Sequence, residues 1–116
     1  MQNNADLNRY IELYKDFLHP NPNINSQAIF LLRKDFRCEF KDDLINNLKE
    51  RDIVIRRKSI FALGEYGEEI LNLIAHLYSK TPNNIVKVSC LKTIIKVIVN
   101  FNLKELNQDV ISVVEL

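Results

Sequence analysis

Three stretches of the sequence align at one constant interval: NPNINSQAIFLLR from Asn21, DIVIRRKSIFALG from Asp52 and NNIVKVSCLKTII from Asn83. Their starts are separated by 52 − 21 and 83 − 52, which is 31 residues each time. This period constrains the fold more than composition does, because self-similarity at about 20–50 residues marks stacked supersecondary units. Equivalent places hold Ile24, Ile55 and Val86, then Ala28, Ser59 and Cys90, then Ile29, Ile60 and Leu91, then Leu32, Leu63 and Ile94.

Each class of position has a mechanical reason. Asn21, Asp52 and Asn83 can accept a hydrogen bond from a free N–H of a first helical turn, and Pro22 suits the position after a cap. Ile24, Ala28, Leu31 and Leu32 follow the i, i+4, i+7, i+8 spacing of one helical face, as do Ile55, Ser59, Ala62 and Leu63, so this face is expected in the core. Tyr66 extends the stripe in the second helix, whereas Asp35 ends it in the first. Small residues at Ala28, Ser59 and Cys90 allow close helix approach, which gives Cys90 a packing role rather than a reactive one.

Each of these B helices follows an amphipathic A segment: LNRYIELYKDFL, DDLINNLKE or EEILNLIAHLYSK. Proline marks the joints at His19-Pro20 and Thr81-Pro82, and Gly67 is placed as a left-handed stop. The charged stretch RKDFRCEFKDD, which contains Cys38, reads as a link. A fourth A helix is expected in LKELNQDVISVVEL, where Leu106 and Val110 fall two periods after Leu44 and Leu48. Helical hairpins of this length cannot bury their apolar stripes alone, so the expected fold is all-α, an α-solenoid of about three and a half repeats. The repeats are about 5–36, 40–67 and 68–101, with a partial one at 103–116. The apolar end formed by Val110, Ile111, Val113, Val114 and Leu116 then either continues into a longer solenoid or is covered in a homo- or hetero-dimer.

At 116 residues the sequence fits a single domain, 1–116. Charged residues at 27% and hydrophobic ones at 47%, with two Gly and three Pro, describe a folded soluble chain. No stretch reads as an export signal or membrane span. Two Cys in a chain that is not exported are expected as free thiols. His19 and His76 lack the spacing of a zinc site, so no metal is expected. No catalytic residues are assigned: there is no phosphate loop, carboxylate pair or nucleophile elbow. His76, on an A helix, is expected as a half-exposed packing residue.

DIVIRRKSIFALGEYG resembles the HEAT-like repeat of the phycobilisome (bilin) lyase type, whose B helix follows an Asp-Pro-x-Val-Arg-x-x-Ala-x-x-Ala-Leu-Gly pattern. Asp52, Ile55, Arg56, Ser59, Ala62, Leu63 and Gly64 fall on it, with Asn21, Pro22, Ile24 and Ala28 in the first repeat and Asn83, Val86 and Lys87 in the third. Asn25 stands where the pattern has Arg, and Ile95 where it has Gly. The resemblance implies a HEAT-like array, a location in a cyanobacterial cytoplasm or plastid stroma, and a phycobiliprotein, a bilin or both as partner. It speaks for architecture more than activity, because such arrays serve many roles.

The net charge of +1 predicts no partner, so the distribution of charge over faces must. Projection at about 100° per residue puts Phe30, Arg33, Lys34, Arg57, Lys58, Phe61, Lys92 and Lys96 on the side of the B helices opposite the core. Glu65 is the one acid among them, and most acids fall on the A segments. The expected binding face is therefore basic and partly aromatic, suited to an acidic protein partner or to a transiently bound bilin with its propionates. The first functional reading is a non-catalytic scaffold or chaperone. The second is a subunit of a bilin lyase or isomerase, for which the sequence supplies few proton-handling groups. Nucleic-acid binding ranks third, since the total charge is near zero and Trp is absent.

Overall fold

The computed structural model describes residues 4–114, so Leu116 and the end of the expected fourth A helix lie outside the described residues. The described residues form seven α-helices and no strand. These are α1 (Asn4–Phe17), α2 (Pro22–Asp35), α3 (Arg37–Asn46), α4 (Ile53–Leu63), α5 (Leu71–Lys80), α6 (Asn84–Asn100) and α7 (Gln108–Val114). A 3₁₀ turn, Asn47–Lys49, follows α3, and another, Glu68–Ile70, leads into α5. The chain makes two compact units whose boundary falls between Asp43 and Leu44.

The 31-residue beat is visible at the helix starts. Asn21 Oδ1 accepts from Asn23 N at 2.9 Å, Asp52 Oδ1 from Val54 N at 2.9 Å, and Asn83 Oδ1 from Ile85 N at 2.8 Å. Each cap satisfies a donor that the first turn leaves without an intrahelical partner. The next repeat-equivalent position, four residues into each helix, locks the preceding segment. Asn25 Nδ2 donates to His19 O at 2.9 Å, Arg56 donates to Glu50 O at 2.7 Å, and Lys87 Nζ donates to Tyr78 O at 3.1 Å. His19 and Glu50 are themselves one period apart. Asn25 thus keeps the contact that an Arg makes at the equivalent place in α4. In the first and third joints a side chain also receives the cap residue's own N–H: His19 Nδ1 at 3.0 Å and Thr81 Oγ1 at 3.2 Å.

In the first unit α1 packs on α2 around an aromatic cluster. Phe17 meets Tyr14 and Phe40 edge-on at 5.5 and 5.1 Å, and Tyr10 meets Phe36 at 5.3 Å. Such tilted pairs are favoured by the ring quadrupoles. Arg9 Nη2 donates to Asp35 at 2.7 Å, and the guanidinium lies 5.4 Å from the Phe36 ring centre. Ala28, Ile29 and Leu32 complete the core, and Leu31 is half-buried.

In the second unit α5 and α7 are neighbours, α6 lies against both α4 and α5, and the Asn47–Lys49 turn touches α4 and α6. Leu44, Leu48, Leu63, Ile74, Ile94, Val97 and Val110 are fully buried between them. Three buried hydroxyls are satisfied within their own helices: Ser59 donates to Ile55 O, Ser89 to Ile85 O and Thr93 to Ser89 O, each at 2.8 Å. Ser59 also accepts from Asn47 Nδ2 at 3.0 Å, so the polar member of the small-residue position gains a second partner.

Several boundaries differ from expectation. The expected link RKDFRCEFKDD is largely helix: α3 starts at Arg37, because Phe36, Phe40 and Leu44 recur every four residues and all three are buried. Cys38 is exposed in its first turn. The fourth A helix begins only at Gln108; Asn107 Oδ1 accepts from Val110 N at 3.1 Å, and this local bond starts the helix five residues late. Ile24, expected in the core, is 37% exposed, since a first helical turn lies at the rim of a two-layer core. Ser89, which helical projection turns toward the outer face, is buried. Gly67 has φ +90° as expected, but with ψ −166° it is in the region essentially restricted to glycine, and it sits ahead of the Glu68–Ile70 turn rather than at the end of α4. His76, expected to be half-exposed, is exposed on α5.

The joints generate a stability prediction. Asp52→Ala or Asn83→Ala is expected to cost about 1 kcal/mol by urea unfolding. Asn25→Arg should be near neutral, whereas Asn25→Leu should lose about 1 kcal/mol with the joint bond. Gly67→Ala is expected to cost about 1–3 kcal/mol from backbone conformation alone.

Cys90 generates another. Burial pushes its thiol from an ordinary 9.0 up to about 11, opposed by the nearby charge of Lys87. An unfolded chain therefore releases this proton at lower pH than the folded one, so stability should fall as pH rises from about 9 to about 11, by roughly 2–3 kcal/mol in all. Cys90→Ala should flatten that limb. A thiol reagent at neutral pH should modify the exposed Cys38 rapidly and Cys90 only after unfolding.

Candidate interaction groove

The outer face is built on α4 and α6, which lie side by side and are phased by equivalent caps. What lets them approach is Gly64, whose α-carbon faces α6. A β-carbon there would stand 2.4 Å from Lys96 Cγ and 3.3 Å from Asn100 Nδ2. Asn100 Nδ2 instead donates to Gly64 O at 3.1 Å and reaches Glu65 Oε2 at 3.4 Å. The Lys96 side chain crosses toward α4, with Nζ 5.4 Å from the centre of the Phe61 ring, within cation–π range.

Between the two helices runs an open groove made of two adjoining hollows, with volumes of about 270 and 630 Å³, that share Arg57, Ile60 and Lys92. Four of the expected site residues meet in it: Arg57, Phe61, Lys92 and Lys96. Lys58 is half-buried on α4 and does not line it. Phe30, Arg33 and Lys34 belong to α2 in the other unit, where Phe30 is 52% exposed, Arg33 half-buried and Lys34 exposed.

Apolar residues outside the expected set of site residues complete the walls. Val88, Ile95 and Val99 on α6 are 49%, 54% and 69% exposed. Val88 and Ile95 fall on the face projected away from the core, so an apolar side chain where a solvated one is expected was the available signal. Ile95 occupies the place equivalent to Gly64, and in α6 this position carries a groove wall instead of a helix crossing.

The groove is mainly basic, with the Glu65 carboxylate beside Asn100 at one end. Neither α4 nor α6 contains an acidic residue. Arg56 and Lys87 are engaged by backbone carbonyls, while among the described residues Arg57, Lys92 and Lys96 have no carboxylate partner. The lining offers cations, apolar surface and carboxamides, but no His, Cys or carboxylate. That set can hold an anionic, partly apolar partner and supplies no proton-transfer pair of its own.

Elsewhere, His76 and Asp109 line a small hollow of about 190 Å³ with Asn72 and Ser112. Among the described residues no group of three or more His, Cys, Asp or Glu is placed to hold a metal ion, and no helix is long and apolar enough to cross a membrane.

No protein-family model matches the chain, and no solved structure matches it at a significant level. Two curated proteins do. Over 58 residues, half of this chain, it is 38% identical to "Bilin biosynthesis protein CpeZ" of Synechococcus sp. (strain WH8020). Over 86 residues, 74% of this chain, it is 24% identical to "Uncharacterized phycocyanin operon protein Z" of Pseudanabaena tenuis (strain PCC 7409). The matched regions span 31% and 43% of the lengths of these relatives, so the similarity concerns a part of each.

Proposed function

We propose that this chain is a non-catalytic holding unit in phycobilisome bilin biosynthesis or assembly, which grips a phycobiliprotein through the basic and apolar groove between α4 and α6. The observation that carries this reading is the groove itself: three cations that have no carboxylate partner among the described residues, beside exposed Phe61, Ile95 and Val99. Apolar side chains left exposed next to cations, inside a concave furrow, are the combination on which this reading rests. Similarity to a bilin biosynthesis protein and to a phycocyanin operon protein supplies the choice of partner. In this reading the 31-residue units belong to a HEAT-like array, and Phe30, Arg33 and Lys34 present similar chemistry on α2 of the first unit.

The experiment offers the immobilised chain an apo-phycobiliprotein, with and without free bilin. Capture of the protein is expected, weakened at least tenfold by Arg57→Glu with Lys92→Glu in a variant whose helical circular dichroism is unchanged. Capture that ignores this double substitution removes the groove from the reading. Covalent colour formed on the phycobiliprotein by this chain and free bilin alone would replace the holding unit with a lyase.

A further inference from the structure

We infer that the α4–α6 groove takes an amphipathic α-helix of a partner protein, lying lengthwise with its apolar stripe inward and carboxylates along its flanks. This rests on the holding reading above and specifies what is held. Three features lead to it.

The first is length and form. The α6 wall runs from Ile85 to Val99, which at about 1.5 Å per residue is roughly 21 Å, four turns of helix. Its lining residues Ile85, Val88, Lys92, Ile95 and Val99 keep a spacing of three and four, so the wall is one straight helical ridge. The opposite wall, through Ile53, Arg57 and Phe61, keeps a spacing of four. Two ridges side by side leave the furrow into which a third helix fits.

The second is openness. Pockets for small molecules enclose most of the ligand and fix it with a few converging polar groups. This groove is open to solvent along its length, with Arg57 and Lys92 where its two hollows join and Lys96 in the larger one. A bilin laid in it would leave one whole side in water. An amphipathic helix needs that arrangement, since its polar face stays wet while anchors at i, i+3 or i+4 and i+7 fill the furrow.

The third is charge. Arg57 on one wall and Lys92 and Lys96 on the other stand beside the apolar strip; neither helix carries an acid, and Glu65, just past α4, is turned to Asn100. Glu or Asp on the flanks of the incoming helix would pair with them, and Lys there would be repelled, so charge selects the occupant and its orientation.

The test uses the full 116-residue chain and three fluorescein-labelled peptides of equal length, followed by fluorescence anisotropy. One carries a Leu stripe at helical spacing with Glu flanks, one the same stripe with Lys flanks, and one the Glu composition in scrambled order. The Glu-flanked helix is expected to bind at least tenfold more tightly than either of the others. Val88→Asp and Ile95→Asp, at exposed positions that the fold does not need, should each weaken it at least tenfold. Arg57→Glu with Lys92→Glu should reverse the preference toward the Lys-flanked peptide.

Equal affinity for the ordered and scrambled peptides overturns the inference. So does a chain that light scattering shows as a dimer that Ile95→Asp dissociates, which would make a second copy the occupant, or Ile95-dependent binding to anionic vesicles in place of peptide. Phycobiliprotein capture that persists without helical peptide binding refutes the helix alone. Peptide binding without phycobiliprotein capture refutes the choice of partner alone.

Discussion

The cap and lock at the start of each B helix is the constraint on which the rest depends. A single side-chain oxygen at Asn21, Asp52 or Asn83 decides which N–H opens the helix, and so sets the rotational phase of every residue after it. The donor four residues on ties the entering segment back to that turn, whether it is the short carboxamide of Asn25 or the long arm of Arg56. With phase fixed, Ala28, Ser59 and Cys90 are obliged to face inward. The complementary face of α4 and α6 is then obliged to face out with its bases.

Close approach follows from one missing atom. Because Gly64 has no β-carbon, α6 lies near enough for Asn100 to bond the Gly64 carbonyl, and the Lys96 stem is laid across toward Phe61. The groove therefore has a defined floor and a positioned cation at one end. Its other end is shaped by Ile53 and Ile85, the residues that directly follow or lie two beyond the caps. One groove thus reports both devices, the caps at its start and the glycine crossing near its end.

Much of this was legible in the sequence because capping and burial are local or periodic. Asn, Asp and Pro at helix starts, the i, i+4, i+7, i+8 stripe and the packing role of Cys90 all follow from spacing alone. What was not legible depends on competition between neighbours. Whether Phe36 or Phe40 belongs to a link or a helix turns on the aromatic cluster that receives them, which charge density in RKDFRCEFKDD conceals. The late start of α7 depends on which backbone group Asn107 finds. The basic members of the groove could be named from a helical projection, but Val99 and Ile85 could not, because projection gives a residue's direction and says nothing of whether the adjacent helix covers it.

The bases of α4 and α6 are held in different ways. Arg56, Arg57 and Lys58 stand in the N-terminal half of α4, and Lys87 stands one turn into α6, with no acid in the first turn of either helix. A cation opposes the macrodipole by a few tenths to about 1 kcal/mol only within the first turn, and at the start of α4 the Asp52 carboxylate stands at the cap, so these bases cost the helices little. Arg56 and Lys87 donate to backbone carbonyls, and Lys87 also lies 4.4 Å from the Tyr78 ring centre. Arg57 has no carboxylate partner among the described residues and stands where the two hollows of the groove join. Lys92 lines that same junction, so the middle of the furrow carries two bases beside the apolar Ile60.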